Sequence, residues 1–185
     1  KRLRPEPSRA LRTGIDLGAD AWLLFVSFGI GGCFGQVIGR MRCLAQGCCH
    51  GREAPHFLGI RYVHPMSRVV RLSALGGVPV HPTPLYSMMW MTLVGLVLIR
   101  LWALAAPLQF IAGTYFVLVG LGRFVEEHFR GEPQTMVTGG LRLYQWLAIA
   151  FVIGGAVLTT LGSTAAPTAP PFDPRILPVA VVVGA

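Results

Sequence analysis

Arginines, cysteines and a histidine are concentrated in residues 39–52, GRMRCLAQGCCHGR, directly after an uncharged stretch. Arg40 in this segment and Arg123 further along each end an apolar run. A guanidinium group carries a planar fork of donors that fits a phosphate or a carboxylate. Glu127 follows Arg123 by four residues, so on a helix it can pair with that arginine and hold its fork in place. These residues predict an anion site for which a phosphate is a suitable ligand.

The cysteines of the same segment allow three interpretations. Cys43, Cys48, Cys49 and His50 offer the thiolate and imidazole groups that zinc or iron binds. However, the C-x2-C pair of familiar sites is missing and adjacent cysteines rarely bind one tetrahedral ion, so we predict no metal site and no cofactor. A disulfide from Cys43 to Cys48 or Cys49 is possible in an oxidising compartment. The spacing favours the third interpretation, packing of small side chains in a glycine-rich loop.

The composition is that of a membrane protein. Of the 185 residues, 53% are hydrophobic and 13% charged. Four runs without Asp, Glu, Lys or Arg are long enough to supply the roughly 20 apolar residues of a membrane span. We predict an all-α polytopic bundle with about four membrane helices, near residues 19–39, 84–105, 108–127 and 142–162. Runs of this length argue against the alternative, a soluble α/β domain with buried strands.

The predicted helices divide the chain into three parts. A basic segment, residues 1–18, precedes a membrane domain at residues 19–162, and a Pro/Ala-rich linker with an apolar tail occupies residues 163–185. Within the membrane domain, residues 41–82 predict a small extramembrane element with a short strand near residues 60–63.

Consecutive hairpins would bring nearly all of the polar motifs to one membrane face. Arg40 or Arg123 taken alone is more typical of an anchor at the headgroups. Two arginines on one face favour a shared site, because Glu126 and Glu127 follow a helical turn after the second of them. Gly31, Gly35 and Gly39 recur every four residues and predict close packing of a second helix on the first. The net charge of +8 is dispersed among the spans without a nucleic-acid fold signature, so we expect no nucleic-acid partner.

Four ordered motifs resemble those of the prolipoprotein diacylglyceryl transferases of bacterial membranes. They are GRMRCLAQGCCHGR at the end of one span, HPTPLY opening the next, GLGRFVEEHFRGEP ending the third and LYQW opening the last. The resemblance covers roughly residues 21–160 and corresponds to the C-terminal half of that family's usual seven-helix chain. It implies transfer of the diacylglyceryl group of phosphatidylglycerol to the thiol of a lipobox cysteine. The implied partners are phosphatidylglycerol, the prolipoprotein signal peptide and membrane lipids.

The resemblance also implies roles for individual residues. Arg40 and Arg123 would hold the phosphate, whose negative charge grows as it leaves carbon, and Glu127 matches the carboxylate that follows the second arginine. His81 is a candidate catalytic group, and His50 and His128 are other possible bases. The motif positions implied to bind substrate are Gly51, Tyr86, Gln145 and Arg130.

Departures from the family's motifs leave alternatives to the enzyme. Cys43 and Cys48 replace an asparagine and a glutamate of the first motif, Val119 replaces a tyrosine, and Ser87 replaces the glutamate after Tyr86. The upstream HGG segment, whose histidine is a candidate for activating the thiol, is absent from these 185 residues. Either it belongs to a missing N-terminal half, in which case we expect these residues to be inactive alone, or the chain is a divergent relative. One alternative is a non-catalytic relative that binds phospholipid or a lipoprotein. Another is a membrane thiol-redox or metal protein.

The orientation in the membrane is not decided by charge. Nine of the 16 Lys and Arg residues fall on the motif side and the rest on the other, which weakly favours a cytoplasmic motif side. That bias disappears once arginines with a function are left out, and the resemblance implies the opposite orientation. We therefore expect a multi-pass protein of the bacterial inner membrane with an extracytoplasmic active face.

Overall fold

The computed structural model describes residues 17–130 and 136–161. In this part of the chain, the helices are α1 (Leu17–Gln46), α2 (Arg68–Leu72), α3 (Thr83–Ala103), α4 (Leu108–Phe129) and α5 (Leu143–Thr160). The strands are β1 (Ile60–Arg61), β2 (Pro79–Val80), β3 (Val137–Thr138) and β4 (Leu141–Arg142). β1 pairs with β2 and β3 with β4, both antiparallel.

Four helices are long and apolar enough to cross a membrane. The spans are Ala21–Gln46, Thr83–Ala103, Leu108–Phe129 and Leu143–Thr160, with mean hydropathies between 1.5 and 1.7. The predicted all-α polytopic bundle is therefore confirmed. Apart from residues 17 and 18, the predicted basic segment lies outside the described residues, and so do the predicted linker and tail at 163–185.

The first span is longer than the prediction that ended it at residue 39. α1 continues through Arg40 to Gln46, because the charged residues that end the apolar run do not disfavour helix. It stops where Gly47 takes a left-handed conformation, with φ of 67°, as is common after a helix. α3 has Pro84 in its first turn, where no intrahelical hydrogen bond is lost.

Close packing by glycine occurs between α4 and α5, not on α1 as predicted. A Cβ atom on Gly113 would lie 2.6 Å from the carbonyl oxygen of Gly155, so the two backbones touch there. By contrast, nothing in the described part of the chain comes within 4 Å of a Cβ built on Gly31, Gly35 or Gly39. The prediction that this stripe packs against a second helix is wrong for the described residues, since α1 turns its other face to the bundle.

The core lies where α1, α3 and α4 meet. Its members are aliphatic or small side chains on the facing surfaces of these helices, exposed by 4% or less. They are Val26, Cys33, Met91, Val94, Leu98, Leu108, Ile111 and Ala112.

A loop element joins α1 to α3, as predicted. β1 and β2 pair with Ile60 opposite Val80, so the strand expected near residues 60–63 is present as a two-residue strand. The element is fastened to the end of α4, because the Arg52 amide donates to the Phe129 carbonyl (2.9 Å) and Gly51 bridges to Arg130.

Candidate active site at the motif face

The polar motifs gather at one end of the bundle, where α1 ends, α3 begins, α4 ends and α5 begins. We call this end the motif face. Hydrogen bonds or ion pairs connect each of these four helix ends to at least one of the others or to the loop element. The grouping predicted from consecutive hairpins is thus present.

Glu126 of α4 lies at the centre of the motif face. Its Oε1 is 3.2 Å from Arg40 Nη2 on α1 and 3.0 Å from Arg123 Nη1 on its own helix. Its Oε2 accepts a hydrogen bond of 2.7 Å from the Ser87 hydroxyl on α3. The side chain is only 5% exposed. One buried carboxylate therefore draws two guanidinium groups from separate membrane helices together, as the predicted anion site requires.

The predicted pair between Arg123 and Glu127 is replaced by two different sets of contacts. Arg123 pairs with Glu126, three residues on. Glu127 has no exposed side-chain surface and instead contacts Arg142 Nη1 at 3.4 Å and Arg130 Nη1 at 3.6 Å. The reason is the direction in which each residue leaves α4: Glu126 points towards α1 and α3, and Glu127 towards α5. A fully buried carboxylate needs cationic partners, and α5 provides one.

Arg123 is held on two sides but keeps unused donor capacity. The centre of its guanidinium lies 5.8 Å from the ring centroid of Tyr144, within the range of a cation–π contact. Its Nη1 is buried and, within residues 17–130 and 136–161, makes no hydrogen bond of acceptable geometry despite its proximity to Glu126. A buried donor of this kind favours binding of an additional acceptor.

The two carboxylates of α4 and the arginines that contact them form the ion-pair cluster: Glu126, Glu127, Arg40, Arg123, Arg130 and Arg142. A cavity of about 290 Å³ opens next to this ion-pair cluster. Arg123, Glu126 and Ser87 form its polar end, and the remainder is mostly apolar. Two of its lining residues, Leu121 and Val125, are 46% and 55% exposed on the outer surface of α4, so the cavity communicates with the side of the bundle. The other lining residues are Gln36, Tyr86, Trp90, Met91, Val119, Gly122 and Phe129.

His81 and Tyr86 lie together at the start of α3. His81 Nδ1 and the Tyr86 hydroxyl are 3.1 Å apart, and both rings pack on Phe129, with centroids 5.2 and 6.1 Å away. Tyr86 lines the cavity, whereas His81 is not among the lining residues. Gly51 is buried against His81, since an added Cβ would lie 2.5 Å from that residue's Cβ.

Gln145 and Arg130 lie away from the cavity lining. Gln145 Oε1 accepts a hydrogen bond of 3.0 Å from the Arg142 amide at the start of α5, which places Arg142 beside Glu127. The Nε of Arg130 is 3.9 Å from Glu126 Oε1, so this arginine contacts both carboxylates of α4. Arg130 therefore contacts the two glutamates directly, and Gln145 acts on Glu127 through Arg142.

All four cysteines are free thiols in this structure. The Sγ atoms of Cys43, Cys48 and Cys49 lie within 4.8 Å of one another. Burial, and next the neighbouring Cys43, raises the pKa of the Cys48 thiol to about 12. The disulfides that the sequence allowed are not formed, and the three thiols make a compact cluster instead.

Three members of the site carry no role predicted from the sequence. Glu126 is noted there with Glu127 as an acidic neighbour of Arg123, but the predicted ion pair uses Glu127. Arg142 also carried a signal, as an arginine at the predicted edge of the last span. The contact of Ser87 could not be anticipated, since it depends on how α3 and α4 pack. Ser87 stands where the resembling family has a glutamate, and its hydroxyl now bonds the carboxylate of Glu126.

A bundle of apolar spans with an ion-paired polar site at one end defines a multi-pass membrane protein. Comparison with known sequences gives the family. The sequence profile described as prolipoprotein diacylglyceryl transferase matches residues 16–161, and the chain belongs to this family.

Relatives carry the corresponding name. The chain is 32% identical over 123 residues to phosphatidylglycerol–prolipoprotein diacylglyceryl transferase 2 of Clostridium perfringens, covering 66% of this chain and 45% of that protein. It is 31% identical over 156 residues to the transferase of a Polaromonas species, covering 80% and 53%. Identity to the Clostridium tetani transferase is 26% over 120 residues, covering 65% and 45%. The chain thus spans about half the length of these relatives.

Proposed function

We propose that this chain forms the phospholipid-binding half of a phosphatidylglycerol–prolipoprotein diacylglyceryl transferase. The observation that carries the proposal is the convergence of Arg40 and Arg123 on one buried carboxylate beside an apolar cavity that opens to the side of the bundle. Such a cavity admits acyl chains from the membrane while the phosphate meets the guanidinium groups. Family membership supports the same reaction.

The two arginines act on the leaving group. In the reaction, the thiol sulfur attacks the glyceryl carbon that bears the phosphate ester, a carbon–sulfur bond forms, and the carbon–oxygen bond to phosphate breaks. The bonding electrons stay on the phosphate oxygen, and glycerol phosphate leaves. Fixed guanidinium groups in a poorly hydrated site stabilise the charge that develops there. Arg123 lines the cavity, so its guanidinium group would meet the phosphate there.

Glu126 and Glu127 position the arginines. Glu126 holds Arg40 and Arg123 at one depth, and Glu127 anchors Arg130 and Arg142 behind them. Ser87 fixes the orientation of Glu126 through its hydrogen bond. The motif glutamate that Ser87 replaces is thus compensated by a carboxylate on the neighbouring helix.

His81 is our candidate for accepting the thiol proton. Its hydrogen bond with Tyr86 places it next to a residue of the cavity wall, at the end where the phosphate would lie. Gly51 lets the loop element approach His81 closely, which fixes the position of the imidazole. The lipobox cysteine of a prolipoprotein signal peptide is the proposed thiol substrate.

The proposed location is the bacterial inner membrane, with the motif face extracytoplasmic. This orientation is consistent with a substrate whose lipobox cysteine emerges on that side of the membrane. Arginines of the motif face would then bind the lipid headgroup, so they would not act as the positive charges that keep a loop in the cytoplasm.

Transfer to a synthetic lipobox peptide in phosphatidylglycerol vesicles tests the proposal, with the full-length gene product as enzyme and thioether formation followed by mass spectrometry. Arg123→Ala is expected to lower kcat/KM by about 100-fold or more, because one charge-stabilising group is lost. Arg100→Ala is the matched control: it removes an exposed arginine at the opposite end of α3 and should leave transfer unchanged. Unaltered lipidation with Arg123→Ala would refute the assigned role.

A second candidate function is binding of phospholipid without turnover. It is favoured by Val119, which lines the cavity at a position where the resembling family has a tyrosine. Retention of phosphatidylglycerol by the full-length protein, with no transfer to any lipobox peptide, would favour this candidate over the enzyme.

A further inference from the structure

Three thiols outside the proposed active site form a cluster of their own. Cys43 lies in the last turn of α1, and Cys48 and Cys49 follow in the loop after it. Their Sγ atoms are mutually within 4.8 Å, and none of the three residues lines the cavity. The cluster is half-buried, so small ions can reach it from the aqueous side.

The dimensions of the cluster fit a bound ion better than a disulfide. Three thiolates about 2.3 Å from one zinc-like ion lie about 3.8 Å apart, so sulfur atoms that are already within 4.8 Å of one another have to approach by about 1 Å at most. A disulfide would require one pair to approach to about 2.05 Å and would leave the third sulfur unused.

The backbone that presents the thiols is fixed on both sides. Cys49 has a φ of 57°, in the left-handed region that a residue other than glycine rarely adopts. Its carbonyl accepts a hydrogen bond from the Thr83 hydroxyl at the start of α3. On the α1 side, the Tyr62 hydroxyl donates to the Leu44 carbonyl at 2.7 Å. The turn therefore holds Cys49 towards the other two cysteines before any ligand binds.

We propose that Cys43, Cys48 and Cys49 form a three-thiolate site for a single thiophilic cation, Cu⁺ or Zn²⁺. Thiolate ligands select these ions, and binding releases the thiol protons to solvent. Within residues 17–130 and 136–161, no histidine or carboxylate completes the set. This proposed site departs from the prediction of no metal site, which considered the adjacent pair Cys48 and Cys49; the fold adds Cys43 of α1 to that pair. Three sulfur ligands suit trigonal Cu⁺ directly, whereas Zn²⁺ would take a water as its fourth ligand.

The bound ion has a structural role. Cys43 is three residues after Arg40, about one turn along α1, and Cys49 is two residues before Gly51. An ion held by both would tie the end of α1 to the segment that packs on His81. The bound ion would thereby keep a fixed distance between Arg40, a proposed phosphate ligand, and the loop element.

Metal titration of the detergent-purified, reduced protein under anaerobic conditions tests the site. One arm uses Cu⁺ with a chromogenic competing chelator, and the other uses Co²⁺ as a spectroscopic probe for Zn²⁺, followed by displacement with Zn²⁺. We expect one ion per chain, with thiolate-to-cobalt charge-transfer absorption in the second arm. The two arms give the stoichiometry and the affinity of the site for each ion separately.

Substitution distinguishes this site from adventitious binding. Cys48→Ser should weaken binding by about 100-fold or more, because losing even an outer partner of a metal ligand costs up to about that much. Cys33→Ser is the control, since Cys33 is buried in the core among apolar residues. Size-exclusion profiles of both variants establish that they are folded.

Three outcomes would overturn the proposal: no uptake of either ion by the folded protein, unchanged affinity with Cys48→Ser, or a stable disulfide within the cluster that forms in place of metal binding. Because binding is measured without lipid transfer, the result is independent of the proposed enzymatic function. A folded, active transferase that takes up neither ion would leave the function in place and end only this proposal.

Discussion

At the residue scale, the carboxylate of Glu126 connects three helices of the site. It contacts guanidinium groups from two helices and a hydroxyl from a third, while nearly all of its surface is withdrawn from water. Such a carboxylate is stabilised only by its partners, and the partners repel each other without it. The arrangement therefore serves stability and site geometry together.

Glu126→Gln should destabilise the protein although the side-chain shape is kept. We expect a loss of about 3 kcal/mol, at the lower end for breaking a buried ion pair because Arg123 is partly exposed. The measurement is the midpoint of thermal unfolding in detergent. Glu53→Gln removes an exposed carboxylate and should leave that midpoint where it is; an equal shift in both variants would contradict the special position of Glu126.

The sequence indicated the arginines of the site and an acidic partner for Arg123, but not which glutamate that arginine contacts. Arg40 and Arg123 stood out because a guanidinium at the end of an apolar run needs an explanation. Choosing between Glu126 and Glu127 depended on which helix lies beside α4, and a difference of one residue rotates a side chain by about 100° around the helix. That information is absent from local spacing.

At the scale of elements, the close contact between α4 and α5 depends on glycines, which have no side chain to keep the two backbones apart. The backbones of Gly113 and Gly155 touch. A Cβ atom added to Gly120 would likewise lie 2.8 Å from the Ala148 carbonyl oxygen. Helices in a membrane gain little from burying apolar surface against each other, so close backbone packing carries more of the association.

Two adjacent glycines of α5 provide a matched test of this contact. Gly155→Ala would place a methyl group 2.7 Å from the Gly113 carbonyl oxygen, and we expect a cost of about 1–3 kcal/mol from overpacking. Gly154→Ala meets nothing within 4 Å and should be neutral or stabilising by up to about 1 kcal/mol through helix propensity. Thermal unfolding compares the two; a Gly155→Ala protein as stable as Gly154→Ala would show that the backbones can separate freely.

The number and type of elements could be predicted, but not which faces of the helices meet. Long uncharged runs predict spans with little ambiguity, because the membrane sets their length. All four spans are apolar on most sides, so the periodicity of apolar residues did not indicate which face of each helix points to the core. The stripe of Gly31, Gly35 and Gly39 looked like a packing surface for this reason, although α1 contacts α3 through Cys33 and Phe34 beside Gly95.

For the whole molecule, the two ends of the bundle differ sharply. The motif face carries the loop element and the ion-pair cluster, while α3 and α4 are joined at the other end by a short turn in which Ala105 has a φ of 52°. The positions of the motifs in the sequence predicted that the two ends differ. The Lys and Arg residues are shared almost equally between the two ends, so they could not predict which end faces the cytoplasm.

Labelling with a membrane-impermeant maleimide tests the proposed orientation. In a background with serine at the native cysteines, Phe57→Cys on the loop element should react from the outside of intact cells, because Phe57 is 83% exposed. Ala105→Cys, at the opposite turn, should react only after the membrane is permeabilised. The reverse pattern would place the motif face in the cytoplasm.

The ion-pair cluster contains four guanidinium groups and two carboxylates, so it carries an excess of positive charge. A phosphodiester lipid brings one negative charge to this cluster, whereas the phosphomonoester that departs carries nearly two at neutral pH. Electrostatics then retains the departing molecule more firmly than the one that arrived. Turnover would be limited by its escape, and added glycerol phosphate should inhibit competitively at concentrations below the KM for lipid, with inhibition that weakens as ionic strength rises.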